Sequence, residues 1–295
     1  MPELPEVETV ARGLQKEVAG RRILSITIGK SDFIDNPADI ERELPGRMIR
    51  EVRRYGKFLL LRLAAAEKAK QQGEESALLV HLGMTGMLWP RPVSEPQLKH
   101  THVVMLLDDD RELRFIDARR FGRIAYLPKD VLQKELLRFG ADPLEVGLEE
   151  FRQRMHRRAR VKALLLDQRV LRGVGNIYAD ESLWKAKIHP AQLGMRLAPT
   201  QVKELYRALQ DILKKAIVLR GSSISDFLDA DGQPGEYQQH HRAYGREGKS
   251  CARCKTTILR VIVAGRSSYF CPKCQKAPRV WKKTQKPKLK KSVKS

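Results

Sequence analysis

The first residues with chemistry to offer are Pro2 and Glu3, in the opening Met1-Pro2-Glu3-Leu4-Pro5-Glu6. A start methionine before a small residue is usually trimmed, so the sequence anticipates a chain that begins with a secondary amine beside a carboxylic acid. An α-amino group titrates near ~8, against ~10.4 for lysine, and is partly unprotonated at neutral pH. Such an amine forms a Schiff base with an aldehyde-like carbon. From a secondary amine the product is an iminium, whose charge needs no proton and which acts as an electron sink. The plain alternative is that Pro2 and Pro5 merely stiffen a disordered terminus.

A second group is Cys251-x2-Cys254 and Cys271-x2-Cys274, two pairs that hold all four cysteines with sixteen residues between them. No secretory signal is visible, which favours metal over disulfides. Four thiolates close a tetrahedral shell around one Zn2+, so the metal is expected to be structural. The intervening hairpin tip, Ala264-Gly265-Arg266-Ser267-Ser268, offers Arg266 to a phosphate.

Three further stretches suit nucleic acid. In Leu171-Arg172-Gly173-Val174-Gly175-Asn176-Ile177-Tyr178-Ala179-Asp180-Glu181 a glycine turn leads into a helix near Asn176. Backbone N–H groups at such a start bind phosphate. No dinucleotide-fold strand precedes it, so it reads as a helix–two turns–helix element. Asp117-Ala118-Arg119-Arg120-Phe121-Gly122 places an aromatic beside arginines, which suits insertion into a base stack or, alternatively, a core phenylalanine with two surface arginines. In His81-Leu82-Gly83-Met84-Thr85-Gly86, Met84 is a second wedge or core. His100 and His102 read as a phosphate contact and a structural residue rather than as metal ligands.

These groups need a scaffold, and the totals allow one. The 295 residues suffice for two domains. Lys and Arg number 57 against 35 Asp and Glu, a formal charge of +22, which points to a polyanionic partner held by counterion release. No apolar run is long enough to span a membrane, and a cytoplasmic protein is expected.

Behind the terminus, Val7, Val10, Ala11, Leu14 and Val18 recur at helical spacing up to Gly20, with Pro5 at a first-turn position and Glu6 and Glu8 at the positive end of the helix dipole. This buried stripe would hold the N-terminus in place. Strands are expected over 22–28, over 48–63 around a turn at Tyr55-Gly56-Lys57, and over 77–89, 102–107, 113–116 and 122–127, as a sandwich or flattened barrel. Helices are expected over 131–139, 148–156, 161–166, 175–186 and 199–219. The predicted fold is α+β, an N-terminal β-sandwich with flanking helices and a C-terminal helical domain bearing the zinc-ribbon hairpin. The domains expected are 1–130 (sandwich), 131–147 (linker), 148–220 (helical), 221–249 (a polar, Gly-rich segment), 250–275 (hairpin) and 276–295 (a basic, disordered tail). Residues 64–76 read as an exposed insertion.

The start Pro2-Glu3-Leu4-Pro5-Glu6-Val7-Glu8-Thr9, the Arg119-Arg120-Phe121-Gly122 loop, the Gly173–Tyr178 turn and the cysteine hairpin occur in one order. Together they resemble the bacterial formamidopyrimidine-DNA glycosylases, over roughly residues 2 to 275. The resemblance implies removal of oxidised purines such as 8-oxoguanine from duplex DNA, followed by strand cleavage at the abasic site, with no redox cofactor or catalytic metal. It implies that Pro2 attacks C1′, that Glu3 assists sugar ring opening, that Lys57 holds phosphate and serves β-elimination, and that Arg266 clamps phosphate and serves the δ step. It implies DNA contacts by His100, Arg119, Arg157, Lys162 and Asn176, with Met84, Arg119 and Phe121 filling the gap left by the flipped base. The polar segment from Ser222 to Tyr244 matches the region that covers that base. A monomer is expected.

Arg157 stands where the family often has lysine, and Lys255 where glycine is usual. Two rival readings are an endonuclease VIII-like enzyme for oxidised pyrimidines and a non-enzymatic zinc-ribbon DNA-binding protein. Leu4, in place of the glycine common in the endonuclease VIII branch, and Met84 with Phe121 favour purines. Pro2, Glu3 and Lys57 together favour an enzyme.

Overall fold

A computed structural model describes residues 1–64, 76–223 and 232–278. Apart from their edges, the expected insertion at 64–76 and the tail from 276 lie outside the described residues, as does 224–231 of the polar segment. The chain forms two compact units, Met1–Gly140 with Lys215–Gln238, and Ala141–Lys214 with Gln239–Ser295.

The first unit opens with α1 (Leu4–Val18), followed by β1 (Ile23–Ile28), β2 (Ile34–Asp35), α2 (Pro37–Glu43), β3 (Ile49–Tyr55), β4 (Phe58–Leu63), β5 (Ser76–His81), β6 (Met87–Pro92), β7 (Thr101–Leu107), β8 (Arg111–Ile116), β9 (Arg123–Leu127) and α3 (Lys129–Leu137). The strands make two sheets, ordered β1-β7-β8-β6 and β2-β9-β5-β4-β3. They are separate open sheets, so the flattened-barrel alternative gives way to the sandwich.

Side-chain alternation explains the layering. On β4, Leu59, Leu61 and Leu63 join the core shared by both sheets and α1. Leu60, one residue out of phase, belongs to a second apolar cluster with Ala77, Leu79, Leu127 and Leu132 of α3. The five-stranded sheet is thus buried on both faces, and its central strands read as unbroken apolar runs rather than alternating ones. That continuity also hid a boundary. The single strand expected over 77–89 is two strands, β5 and β6, which leave residues 82–86 between them and join different sheets. α1 contributes Val7, Val10, Ala11, Leu14 and Val18 to the core.

The second unit holds α4 (Leu148–Met155), α5 (Val161–Leu166), α6 (Asn176–Lys185), most of α7 (Pro199–Val218) and the hairpin of β10 (Leu259–Val263) and β11 (Arg266–Phe270). α6 organises this unit. Of its ten residues, the seven from Ile177 to Leu183 are buried, including Asp180 and Glu181. A helix buried nearly all round is a hub rather than a surface element. Among the described residues no helix is long and apolar enough to cross a membrane.

Candidate functional site

In the first unit Pro2 and Glu3 are buried at the start of α1. Glu3 is the N-cap residue, and its N–H donates to Glu6 Oε2 at 2.9 Å. The other oxygen of Glu6 accepts the Ser222 N–H at 2.6 Å. One carboxylate therefore ties the terminus to the root of the polar segment. Gly221 eases this approach: its φ is +80°, and a Cβ there would sit 2.6 Å from Glu6 Oε1, so a side chain would be strained and would push the Glu6 carboxylate aside. With the apolar stripe of α1 in the core, the terminus is an ordered helix start.

Lys57 occupies the two-residue turn between β3 and β4, after Gly56 at φ +62°. Across β4–β5, Phe58 faces His81. The His81 Nδ1 accepts the Gly83 N–H at 3.0 Å, and burial, helped by the nearby Lys57 charge, lowers its pKa to about 4. A neutral imidazole, protonated on Nε2, thus stands beside Lys57. The sequence singled out no role for His81, because the pairing that brings it to Lys57 is long-range.

Met84 and Phe121 are exposed large apolar residues, at 38% and 54%. The Arg119 guanidinium lies 4.6 Å from the centre of the Phe121 ring. Both are outside the core, so the core-phenylalanine alternative fails. His100 is exposed with φ +70°, whereas His102 is buried with Nε2 3.0 Å from the Asp117 carbonyl. Neither belongs to a metal-capable cluster among the described residues.

In the second unit the glycine turn is stitched by Gln168. Its Oε1 accepts the Gly173 N–H at 2.7 Å, and its Nε2 donates to the carbonyls of Leu166 and Val174, both at 2.9 Å. Gly173 takes φ +95°. Asn176 begins α6, half-buried, with its Oδ1 lacking a hydrogen-bond partner. Arg157, between α4 and α5, is exposed, and so is Arg266 at the start of β11.

Lys162 departs from expectation. It is 0% exposed, with Nζ 2.6 Å from Asp180 Oδ1 and 2.7 Å from the Ser267 carbonyl. An ammonium enclosed in this way is not presented to an outside phosphate, so the expected direct phosphate contact is replaced by a structural one. The other Asp180 oxygen accepts the Tyr269 N–H at 3.0 Å. Burial pushes the Asp180 carboxyl above the usual carboxylate range, and Lys162 opposes this. Glu181 similarly accepts the N–H groups of Arg242, Ala243 and Tyr244, at 2.8 to 3.0 Å. The two carboxylates of α6 therefore fasten β11 and the 242–244 segment.

The four cysteines fit one zinc ion. Their sulfurs all lie within 4.8 Å of one another, and Cys254 Sγ is 3.4 Å from both Cys271 and Cys274. A tetrahedron with ~2.3 Å Zn–S bonds has edges of about 3.8 Å, whereas disulfide sulfurs sit at about 2.05 Å. Lys255, which stands where glycine is usual, adopts the positive φ of +62° and donates its N–H to the Cys251 carbonyl at 2.9 Å. Gln275 closes the other knuckle through the Cys271 N–H at 2.8 Å. Arg253 stacks on Trp184 of α6 at 3.9 Å, which docks the metal site on the same hub helix.

His189 and His241, like His81, are lowered by burial from 6.5 to about 4. Between those values the unfolded chain binds protons that the folded chain does not, so stability falls as pH drops through this window. The buried Asp180 carboxyl, raised by the same burial, acts with the opposite sign across this range, so the imidazoles are best followed directly: NMR titration should show all three uncharged down to about pH 5. Protonation of these rings near pH 6.5 would show that they are not held neutral.

Three family profiles match the chain in order: the formamidopyrimidine-DNA glycosylase N-terminal domain over residues 1–124, its H2TH domain over 139–228, and a zinc finger found in FPG and IleRS over 248–277. A formamidopyrimidine-DNA glycosylase of Herpetosiphon aurantiacus is 43% identical over 281 residues, 93% of this chain and 100% of the relative. The crystal structure of Lactococcus lactis Fpg with DNA containing an abasic site superposes with a TM-score of 0.83 at 34% identity, over 93% of this chain and 100% of that one. The same enzyme with Fapy-dG-containing DNA gives 0.82 at 34%, over 93% and 100%. With three matching domains, the ordered helix start at Pro2 and the four-cysteine site, this chain belongs to the formamidopyrimidine-DNA glycosylase family.

Proposed function

We propose that this protein is a bifunctional DNA glycosylase and abasic-site lyase of base-excision repair, which removes oxidised purines, 8-oxoguanine and formamidopyrimidines, from duplex DNA. The observation that carries the reading is the buried helix start at Pro2-Glu3, in a unit that also bears Lys57 and the exposed pair Arg119 and Phe121.

A base inside a duplex is out of reach and must be flipped, at a cost of a few kcal/mol. Met84, Arg119 and Phe121 offset that cost by occupying the gap. His100, Arg157, Asn176 and the hairpin Arg266 hold the bent backbone. Once Met1 is removed, the Pro2 nitrogen bonds to C1′ as the bond from C1′ to the base breaks, and Glu3 protonates the ring oxygen as the sugar opens. The resulting iminium acidifies C2′–H. Loss of that proton expels the 3′ phosphate, and a second elimination expels the 5′ phosphate, with Lys57 and Arg266 assigned to these steps. Hydrolysis of the remaining Schiff base frees Pro2.

Zinc supplies no step; the four cysteines hold it as the staple of the hairpin. The reading includes a monomer acting in the cytoplasm at the nucleoid, with no membrane partner. Its test is release from duplexes carrying either 8-oxoguanine opposite cytosine or thymine glycol. Excision of 8-oxoguanine, faster than thymine glycol by at least about tenfold, is the expected result. That margin needs only about 1.4 kcal/mol of differential transition-state binding. Cleavage of thymine glycol alone would give the chain to the pyrimidine reading.

A further inference from the structure

We propose that the buried Asp117 carboxylate is a positioning group that locks the Met84 turn and the Arg119–Gly122 loop into one preformed wedge. This rests on the reading that Met84, Arg119 and Phe121 fill the space vacated by the extruded base. Asp117 itself touches no DNA in that reading, being 0% exposed.

Its two oxygens collect donors from both loops. Oδ1 accepts the Thr85 hydroxyl at 2.5 Å and the Arg119 N–H at 3.2 Å, and Oδ2 accepts the Gly122 N–H at 2.8 Å. The Thr85 hydroxyl oxygen also lies 3.3 Å from the Arg119 nitrogen. The backbone of Asp117 is equally engaged: its N–H donates to the His100 carbonyl at 3.1 Å, and its carbonyl meets His102 Nε2 at 3.0 Å. One residue thus joins the turn after β5, the loop after β8 and the start of β7.

Two glycines let these loops interlock. A Cβ on Gly83, at φ +63°, would stand 2.4 Å from the Phe121 carbonyl carbon and 2.5 Å from the Gly122 nitrogen. A Cβ on Gly122 would stand 2.6 Å from the Phe115 ring. Met84 therefore sits between two fixed neighbours, Gly83 against the second loop and Thr85 on Asp117. On the other loop Arg120 takes φ +54° and pairs with Asp32 at 2.6 Å, while Arg119 and Phe121 stay exposed and stacked on each other.

The physical point is preorganisation. A loop that became ordered only on insertion would lose backbone freedom at the moment of base extrusion, which weakens the insertion step. Here that ordering is completed on folding. A carboxylate suits the position because three donors converge on it. An asparagine offers only one acceptor oxygen and turns an NH2 towards the remaining donor.

The test uses the full, zinc-loaded chain with Thr85→Val and Asp117→Asn. A 2-aminopurine beside an 8-oxoguanine in duplex DNA reports wedge insertion, single-turnover excision reports base release, and borohydride trapping on a preformed abasic duplex reports the chemistry after the base has gone. Thr85→Val should slow insertion and duplex excision about tenfold, and Asp117→Asn up to about a hundredfold, as expected for broken buried hydrogen bonds. Thr85→Val should leave abasic trapping within about threefold of wild type and its melting temperature nearly unchanged. If Asp117→Asn does not fold, Thr85→Val decides alone. Insertion at the wild-type rate in these variants, while Phe121→Ala and Met84→Ala abolish it, would overturn the positioning role and leave the wedge reading standing. An unchanged signal in Phe121→Ala and Met84→Ala as well would remove the wedge reading itself.

Discussion

Extending the chain ahead of Pro2 is expected to abolish its covalent capture on an abasic duplex under borohydride, by about 10³-fold or more, as loss of a nucleophile does. An amide nitrogen has no lone pair to give to C1′, so a tag that survives on Met1 removes the reaction without touching the fold. Pro2 is buried at a helix start whose cap is the Glu3 N–H on Glu6, so the effect comes from chemistry rather than from lost order. Correctly trimmed protein should restore the adduct. Glu3→Gln should behave differently, slowing base release by roughly 10²- to 10⁴-fold, the usual weight of a general acid, while Pro2 remains able to trap a preformed abasic site. An adduct of equal yield from tagged and trimmed protein would assign the nucleophile elsewhere. Its absence from trimmed, zinc-loaded protein would favour the non-enzymatic DNA-binding reading.

The second large effect concerns stability. Asp180→Ala should cost about 3–5 kcal/mol, the usual penalty for leaving a buried charge without its partner. At about 2–4 °C per kcal/mol for chains of this size, the transition of the unit that contains it should fall by roughly 6–20 °C. The substitution takes a buried carboxylate from Lys162 Nζ, which keeps the neutral Ser267 carbonyl, and removes the acceptor of the Tyr269 N–H. Since β11 begins at Arg266, DNA affinity should weaken along with stability, and zinc should be released at lower temperature. The double replacement Lys162→Met with Asp180→Leu should recover only part of the melting temperature: a buried pair exchanged for apolar side chains is often neutral, but the Tyr269 N–H and the Ser267 carbonyl still lose their partners. A drop of under about 2 °C for Asp180→Ala would show that the pair carries little of the unit's stability.

Much was legible in the residue types alone. The helix behind the terminus was visible because Val7, Val10, Leu14 and Val18 keep a helical period, and in the structure they enter the core. The cysteine spacing specified a four-thiolate site because a knuckle brings its two sulfurs together by local geometry. The glycines at 56 and 173 marked turns because their positive φ is a property of the local backbone.

What the sequence left undecided depended on partners distant along the chain. The family resemblance made Lys162 a DNA contact. Only the packing of α5 and α6 on β11 revealed that Lys162 spends its charge on Asp180 and Ser267. His81 gained meaning from strand pairing, Glu6 from a bond to Ser222 across more than two hundred residues, and Asp117 from the approach of two loops. Composition and short-range spacing thus determined which chemistry was present: a terminal amine with an acid, a zinc staple and a strongly basic chain suited to DNA. Tertiary structure decided which charges face outward and which are consumed inside. Burial and hydrogen-bond pairing are set by long-range contacts, and one-dimensional periodicity does not encode them.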